Sequence, residues 1–450
     1  MSAMIQGAVD DRSIPKTPGG RISAPEYARA EGMNPIDYLR QRGYIHDIVD
    51  EEGLKAEFEK GPLTYYIGFD PTGPSLHAGH MATIMLLATL QRFGHRPIAL
   101  AGGGTAMVGD PTGRTSAREM IRIEELDANV SGISVQLARY LDFEGGRFGG
   151  NPAALLLNNA DWLLKLEYIP FLRDIGRHFS VNEMLSTETY RNRLEEGGLN
   201  FVEFNYRLVQ GYDYLHLYRS ENCRLQLGGS DQWSNILGGV DLIRRADGGK
   251  VYAVVSPLIT TLTGEKMGKT GTGLRVWLNP DMFSPYDYYQ YWVNTDDAMV
   301  ETYLKRFTFI RNEEIEDLTS VQGEALREAK RVLAFEATAM AHGVEEAEKA
   351  ESATRSLFSG GTPSAGDTDL PTTQIARTEV DGELTLADAF VRAGLAKGRG
   401  EARRLAQQGG LSVDDEKVSD VDVVFGDILG ERNAVLLRAG KKRFKRVAIV

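Results

Sequence analysis

Short apolar runs alternate with longer stretches of helical periodicity along residues 60–260. The runs Tyr65-Tyr66-Ile67-Gly68-Phe69, Arg96-Pro97-Ile98-Ala99-Leu100-Ala101 and Ala153-Ala154-Leu155-Leu156-Leu157-Asn158 read as buried strands, whereas residues 81–93 and 201–218 carry helical spacing. Alternation of this kind predicts an α/β, Rossmann-like domain built on a parallel sheet, with ligands at the carboxyl ends of the strands. Residues 286–350 differ, being rich in Glu, Ala, Leu, Lys and Arg, and predict an all-helical region. From 352 to 382, 16 of 31 residues are Gly, Pro, Ser or Thr and the helical pattern stops, which reads as a linker.

Length and charge refine this picture. At roughly 150 residues per domain, 450 residues anticipate about three domains. With 42% hydrophobic and 25% charged residues, wholesale disorder, a fibre and a coiled coil are excluded. The single Cys223 rules out an intramolecular disulfide and a multi-cysteine metal site, and fits a reducing compartment, so a cytoplasmic location is expected. The first 35 residues lack the apolar stretch of a signal peptide and no run reaches the roughly 18 apolar residues of a spanning helix, so no membrane partner is expected. The net charge of −12 argues at first against a polyanionic partner. The charge is uneven, however: residues 390–450 hold 13 Lys/Arg against 8 Asp/Glu, a net of +5, which leaves −17 for residues 1–389. Lys397, Arg399, Arg403 and Arg404 on a helix-like segment, and the terminal Lys441-Lys442-Arg443-Phe444-Lys445-Arg446, form either a solvated basic surface or a grip for nucleic acid.

The strand at 65–69 runs into Asp70-Pro71-Thr72-Gly73-Pro74-Ser75-Leu76-His77-Ala78-Gly79-His80, after which an apolar helix follows. Ser75 is the expected N-cap, and His77 and His80, three apart, share one face of the first turn. A helix start favours an anion, two imidazoles can donate to phosphate oxygens, and Gly79 lets a ring or phosphate approach the backbone, so this loop is a candidate nucleotide site. No further His or Cys nearby completes a metal set, and no metal site is expected. Two helix-start histidines without a role remain an alternative. Nearly 190 residues on, Lys266-Met267-Gly268-Lys269-Thr270 sets two lysines about a glycine, either as solvated loop or as a second phosphate contact. It is not a phosphate loop, because Gly264 and Gly268 enclose three residues where four are needed. Tyr206, Gln210 and Asp213 fall at i, i+4 and i+7, as a solvated stripe or the wall of a polar pocket. Tyr66 and Asp213 together suit a ligand hydroxyl, and a phenol satisfies both.

His77-Ala78-Gly79-His80 resembles the HIGH signature, and Lys266-Met267-Gly268-Lys269-Thr270 the KMSKS signature, of class I aminoacyl-tRNA synthetases. Tyr66-Ile67-Gly68-Phe69-Asp70-Pro71-Thr72, Gly109-Asp110-Pro111-Thr112-Gly113-Arg114, the segment from Tyr206 to Asp213, and Gly228-Gly229-Ser230-Asp231-Gln232-Trp233 are similar to the bacterial tyrosyl-tRNA synthetase family, in order from about residue 37 onward. The resemblance implies a tyrosine–tRNA ligase that activates L-tyrosine with ATP, accompanied by Mg2+, and transfers it to the 3′ end of tRNA(Tyr). It implies an N-terminal extension at 1–36, a catalytic domain at 37–280, a helical anticodon-side domain at 281–351, a linker at 352–382 and an RNA-binding domain at 383–450. Thr72, His77, His80, Lys266 and Lys269 would stabilise phosphate charge. Tyr66, Asp110, Tyr206, Gln210 and Asp213 would bind tyrosine. Gly68, Asp70, Gly79, His80, Asp231, Gln232 and Lys269 would hold ATP, and Arg114 and Arg118 would stand near the pyrophosphate. The tail from Leu384 resembles a small α+β RNA-binding module first seen in a ribosomal protein, implying that it grips the variable arm of the transfer RNA through Lys397, Arg399, Arg403 and Arg404. The resemblance further implies a homodimer. Ala78, the MGKT form of the lysine loop and Arg114 in place of a commoner lysine depart from the family pattern. A tryptophanyl enzyme is disfavoured because an indole offers no hydroxyl to Tyr66 and Asp213; an RNA-binding protein with a dead site is disfavoured by intact His77, His80, Lys266 and Lys269.

Overall fold

The computed structural model describes residues 14–112, 122–196, 198–260, 264, 267–270, 273–358, 370, 372–380, 382–440 and 443–450. Arg114, Arg118, Lys266, Lys441 and Lys442 lie outside the described residues.

Six strands form one sheet, β1 (Asp47–Ile48), β2 (Thr64–Phe69), β3 (Arg96–Ala101), β4 (Leu155–Asn158), β5 (Cys223–Gly229) and β6 (Tyr252–Ser256), in spatial order β1-β6-β5-β2-β3-β4. Strands β2 to β6 run parallel, and β1 closes one edge antiparallel to β6. The expected strands at 65–69, 96–101 and 153–158 are thus β2, β3 and β4. Their near-continuous apolar composition follows from helices covering both faces. From β2 the chain proceeds outward to β3 and β4, then returns to the other side of β2 for β5 and β6. Connections leave the carboxyl ends of β2 and β5 in opposite directions, and a crevice opens between them.

Helices α1 (Ala24–Ala30), α2 (Met81–Arg92), α3 (Phe201–Glu221) and α4 (Trp233–Asp247) frame that crevice or brace it. The apolar helix α2 is buried along nearly its whole length, which explains why its sequence shows little polar stripe. Asn200 and Glu203 form a capping box at the start of α3. Close packing of α3 on α4 relies on small residues: a β-carbon on Gly211 would lie 3.2 Å from the Phe179 ring and 3.5 Å from the Gly238 backbone. Tyr214 of α3 donates its hydroxyl to the Tyr252 carbonyl of β6 at 2.7 Å, so the helix that carries the candidate tyrosine-binding residues is pinned to the sheet.

The chain divides into two compact units. The first comprises the described residues of Met1–Phe283 and Tyr291–His342, the second those of Ser284–Gln290 and Gly343–Val450. Helices α5 (Val300–Phe307) and α6 (Arg327–His342) therefore belong to the same unit as the six-stranded sheet. So does the N-terminal stretch before residue 37. Thr17 and Arg21 donate to the buried Glu336 carboxylate of α6 at 2.8 and 3.2 Å. Glu26 of α1 pairs with the buried Arg92 of α2 at 2.5 Å. Arg42, also buried, donates to the carbonyls of Leu304, Thr308 and Ile310.

The second unit holds α7 (Val344–Phe358), α8 (Leu386–Arg392) and α9 (Arg399–Gln407), and a five-stranded sheet ordered β7-β11-β10-β8-β9 from β7 (Thr372–Ile375), β8 (Leu411–Val413), β9 (Glu416–Lys417), β10 (Ala434–Ala439) and β11 (Arg443–Ile449). Its core gathers Leu386, Phe390, Phe425, Val435, Leu437 and Val447. The stretch 352–382, read from composition as a linker, contains the end of α7 and all of β7. An edge strand that pairs on one side with β11 needs few large apolar residues, so composition alone does not reveal it.

Candidate active site

The crevice between the carboxyl ends of β2 and β5 is a cleft of about 980 Å3. It is lined by Tyr66, Gly68, Asp70 and Thr72 from β2 and its loop, His77, Gly79 and His80 from the following turn, Asp110, Tyr206, Gln210 and Asp213, Asp231 and Gln232 after β5, and Lys269. Five segments far apart in sequence thus converge on one space, and every described residue expected to bind tyrosine or ATP or to stabilise phosphate faces it.

At the floor, Asp213 is fully buried. Its two oxygens accept from Asn159 Nδ2 and Trp162 Nε1, each at 2.8 Å. Burial pushes its pKa up to about 7, against the lowering effect of those two donors. Asn159 is itself held, accepting from the Gly104 backbone at 2.7 Å and donating to Thr105 at 3.0 Å. Trp162 stacks on His216 with centroids 4.3 Å apart. Among the described residues, the buried Tyr66 hydroxyl has no hydrogen-bond partner, and neither has Gln210 Oε1. Buried polar atoms are seldom left unpaired, so these two point to a ligand that supplies what the protein does not. Asp110 accepts from Gln232 Nε2 at 2.8 Å and from the Thr112 backbone at 2.9 Å, which fixes its carboxylate in the cleft.

Opposite the floor, the helix start is arranged differently from the expectation. Ser75 is not the cap: its hydroxyl donates to the Leu76 carbonyl and accepts from Gln136 and the Asn279 backbone. His77 caps instead, accepting from the Gly79 N–H through Nδ1, while His80 Nδ1 accepts from the His77 N–H, both at 3.1 Å. The rings lie 4.0 Å apart between centroids. Because each Nδ1 is an acceptor, the ring proton of each neutral imidazole sits on Nε2. Burial is the main force pushing the pKa of His77 down to about 4 and that of His80 to about 3, with Arg275 adding to both. Both rings are therefore neutral donors at physiological pH. Gly79 is needed for a contact within the protein: a β-carbon there would lie 2.7 Å from the Met267 carbonyl.

The class I tRNA synthetase (W and Y) family model matches residues 59–359, and the tyrosine–tRNA ligase SYY-like C-terminal domain matches residues 364–447. A tyrosine–tRNA ligase of Clostridium botulinum is 46% identical over 93% of this chain and 100% of its own length. That of Desulfosudis oleivorans is 47% identical over 93% of this chain and 99% of its own. The chain belongs to the tyrosyl-tRNA synthetase family. Among solved structures, a C-terminally truncated mitochondrial tyrosyl-tRNA synthetase from Aspergillus nidulans has a TM-score of 0.65 and 33% identity, over 74% of this chain and 97% of that one. The Archaeoglobus fulgidus enzyme, at 19% identity and a TM-score of 0.52, shares the fold. As a tyrosyl-tRNA synthetase the chain is an aminoacyl-tRNA synthetase, a tyrosine-specific ligase that uses ATP as a substrate and tRNA and tyrosine as its other partners.

In the second unit, the basic residues singled out in this synthetase are largely engaged. Arg399 donates to both oxygens of Asp388 at 2.5 and 2.8 Å, Arg403 to Asp422 at 2.8 and 2.9 Å, and Arg404 lies 3.8 Å from Glu401. The Lys397 ammonium has no acidic partner among the described residues, although its backbone N–H donates to Glu401. Reading the sequence missed Asn159 and Trp162. Their signal was the pair Asn158-Asn159 at the end of an apolar strand, where a parallel sheet presents its ligand-binding end.

Proposed function

We propose that the cleft makes tyrosyl-adenylate from L-tyrosine and ATP and then charges the 3′ end of tRNA(Tyr). The observation that carries this assignment of roles is the buried Tyr66 hydroxyl without a partner beside the buried, doubly braced Asp213 carboxylate. A tyrosine phenol donates to Asp213 and accepts from Tyr66, whereas phenylalanine would leave the Tyr66 hydroxyl unpaired and give Asp213 no donor beyond Asn159 and Trp162. Tyr206, Gln210 and Asp110 take the ammonium and carboxylate ends of the amino acid. The tyrosine carboxylate attacks the α-phosphorus and pyrophosphate leaves. This nucleophile is already anionic and needs no general base, so catalysis is positioning and charge stabilisation. Thr72, the Nε2 protons of His77 and His80, and Lys266 and Lys269 face the phosphates. Gly68, Asp70, Gly79, Asp231 and Gln232 hold the nucleoside, and Arg114 and Arg118 add positive charge near the pyrophosphate. Mg2+ arrives chelated by the phosphates of ATP. In the second step a terminal ribose hydroxyl of the transfer RNA attacks the acyl carbon and AMP leaves.

The domain boundaries at 37–280, 281–351 and 383–450 follow the same reading, with the helical part meeting the anticodon and Lys397, Arg399, Arg403 and Arg404 holding the variable arm. A homodimer is supported by Tyr168, Ile169, Val181, Phe201 and Val202, large apolar side chains that lie more than half exposed within one stretch of the catalytic domain. The enzyme works in the cytoplasm, in keeping with its single buried cysteine. Amino-acid-dependent ATP–pyrophosphate exchange across the twenty amino acids tests the assignment. Exchange with tyrosine alone is expected; exchange with tryptophan alone, or with none, would overturn it.

A further inference from the structure

Among the described residues, two cations line the cleft, Lys269 and Arg275, whereas its acids, Asp70, Asp110, Asp213 and Asp231, are spread over the rest of its wall. Lys269 belongs to a motif that the sequence singles out; Arg275 does not. Yet Arg275 is placed by the same backbone. The segment from Arg275 to Leu278 runs as a short strand between the histidine turn and the lysine loop. The Ala78 N–H donates to the Val276 carbonyl and the Leu278 N–H to the Leu76 carbonyl, both at 2.8 Å. Next along the segment the Val276 N–H donates to the Gly268 carbonyl at 3.0 Å and the Thr270 N–H to the Leu274 carbonyl at 2.7 Å. These bonds set His77 opposite Trp277 and Lys269 opposite Arg275 in antiparallel bridges.

Residues opposite each other in an antiparallel bridge project to the same side, and so do residues two apart on one strand. His77, Trp277, Arg275 and Lys269 therefore share one face of this small ribbon. The Arg275 guanidinium lies over the Trp277 ring at 5.3 Å from its centroid, and Trp277 meets His77 edge-on at 5.9 Å. No carboxylate neutralises Arg275 among the described residues. A guanidinium stacked on an aromatic ring keeps its N–H edge free, and its planar fork fits phosphate oxygens in pairs.

We propose that Arg275 contacts the β- and γ-phosphate oxygens of ATP and the pyrophosphate that departs, as a catalytic cation held in register with Lys269. The inference rests on the tyrosyl-adenylate reading above and adds a residue to it. No bond is made or broken by Arg275; it offsets charge on the leaving pyrophosphate as the bond from the α-phosphorus to its bridging oxygen breaks.

The test compares the wild-type enzyme with Arg275→Ala and Arg275→Lys in single-turnover tyrosyl-adenylate formation, in inhibition by pyrophosphate and in equilibrium binding of tyrosine. For Arg275→Ala, adenylate formation should slow by roughly 10- to 100-fold, the range for losing a charged hydrogen bond, and pyrophosphate inhibition should weaken in parallel. Tyrosine binding should stay within about twofold, because the variant leaves the floor of the cleft untouched, and Arg275→Lys should recover part of the loss. An unchanged rate, or a loss matched by weaker tyrosine binding and not relieved by lysine, would show that Arg275 only packs against Trp277 and would overturn the proposal. Failure of the wild type itself to form tyrosyl-adenylate would overturn the function assigned to the cleft, and this inference with it.

Discussion

Asp213 shows how much a single carboxylate depends on residues that neither touch it in sequence nor share its helix. Buried alone it would be neutral; with Asn159 and Trp162 donating to it, its pKa is held to about 7, so both forms are populated near neutrality. The raised value has a definite sign. Its contribution to folding is full below the unfolded carboxylate range and is lost as pH rises through about 7, whereas its ability to accept from a phenol grows over that same rise. KM for tyrosine in adenylate formation should therefore fall between pH 6 and pH 8, by up to about tenfold, one pKa unit being worth about 1.4 kcal/mol. Asp213→Asn should flatten that profile; a wild-type KM that is level across the range would show that Asp213 is not the group titrating. That Tyr66 and Asp213 face one cleft was legible from the end of a buried strand and from the helical stripe of Tyr206, Gln210 and Asp213. The brace was not, because Asn159 and Trp162 follow β4, and only the parallel pairing of β4 with β3 brings that loop toward the floor of the cleft.

At the scale of elements, the strands and the two long site helices could be read from periodicity because burial on both faces leaves an uninterrupted apolar signature. The helix start could not. Ser75 has the chemistry of a cap, but its hydroxyl is taken by Leu76, Gln136 and Asn279, and His77, a residue with weak capping preference, takes the position. Tertiary partners decided the matter there, as they do for α1. Glu26 and Arg92 are both nearly fully buried, and the Arg92 guanidinium also lies about 4 Å from the rings of Phe148 and Phe309. Glu26→Ala would leave that cation unpaired inside the protein. The first unit should lose about 3–5 kcal/mol of stability in urea unfolding, and Glu26→Ala combined with Arg92→Met should recover much of it. Near-equal losses for the single and double variants would mean that packing, and not charge, dominates the pair.

For the whole molecule, the net charge of −12 is an average that describes neither end of the chain. The two compact units carry separate cores, so loss of one need not unfold the other. Deleting residues 359–450 should leave single-turnover tyrosyl-adenylate formation within a few-fold of the full chain while aminoacylation of tRNA(Tyr) drops by at least about tenfold; equal loss of both steps would refute the division of labour. The basic tail was visible in charge patterning. The pairing of Arg399 with Asp388 and Arg403 with Asp422 was not, because the acids stand 11 and 19 residues away from the bases they meet.

The stretch before residue 37 attracts no motif and looks dispensable on length alone. Yet it supplies the counter-charge to Arg92 and the hydroxyl and guanidinium that donate to one oxygen of Glu336. Helices α2 and α6 have each placed an ionisable group where water does not reach, and this segment meets it. Such an arrangement works as a ratchet. Once buried polar groups come to rely on an appendage, the appendage can no longer be shed one residue at a time, because the intermediates leave a buried group without its partner.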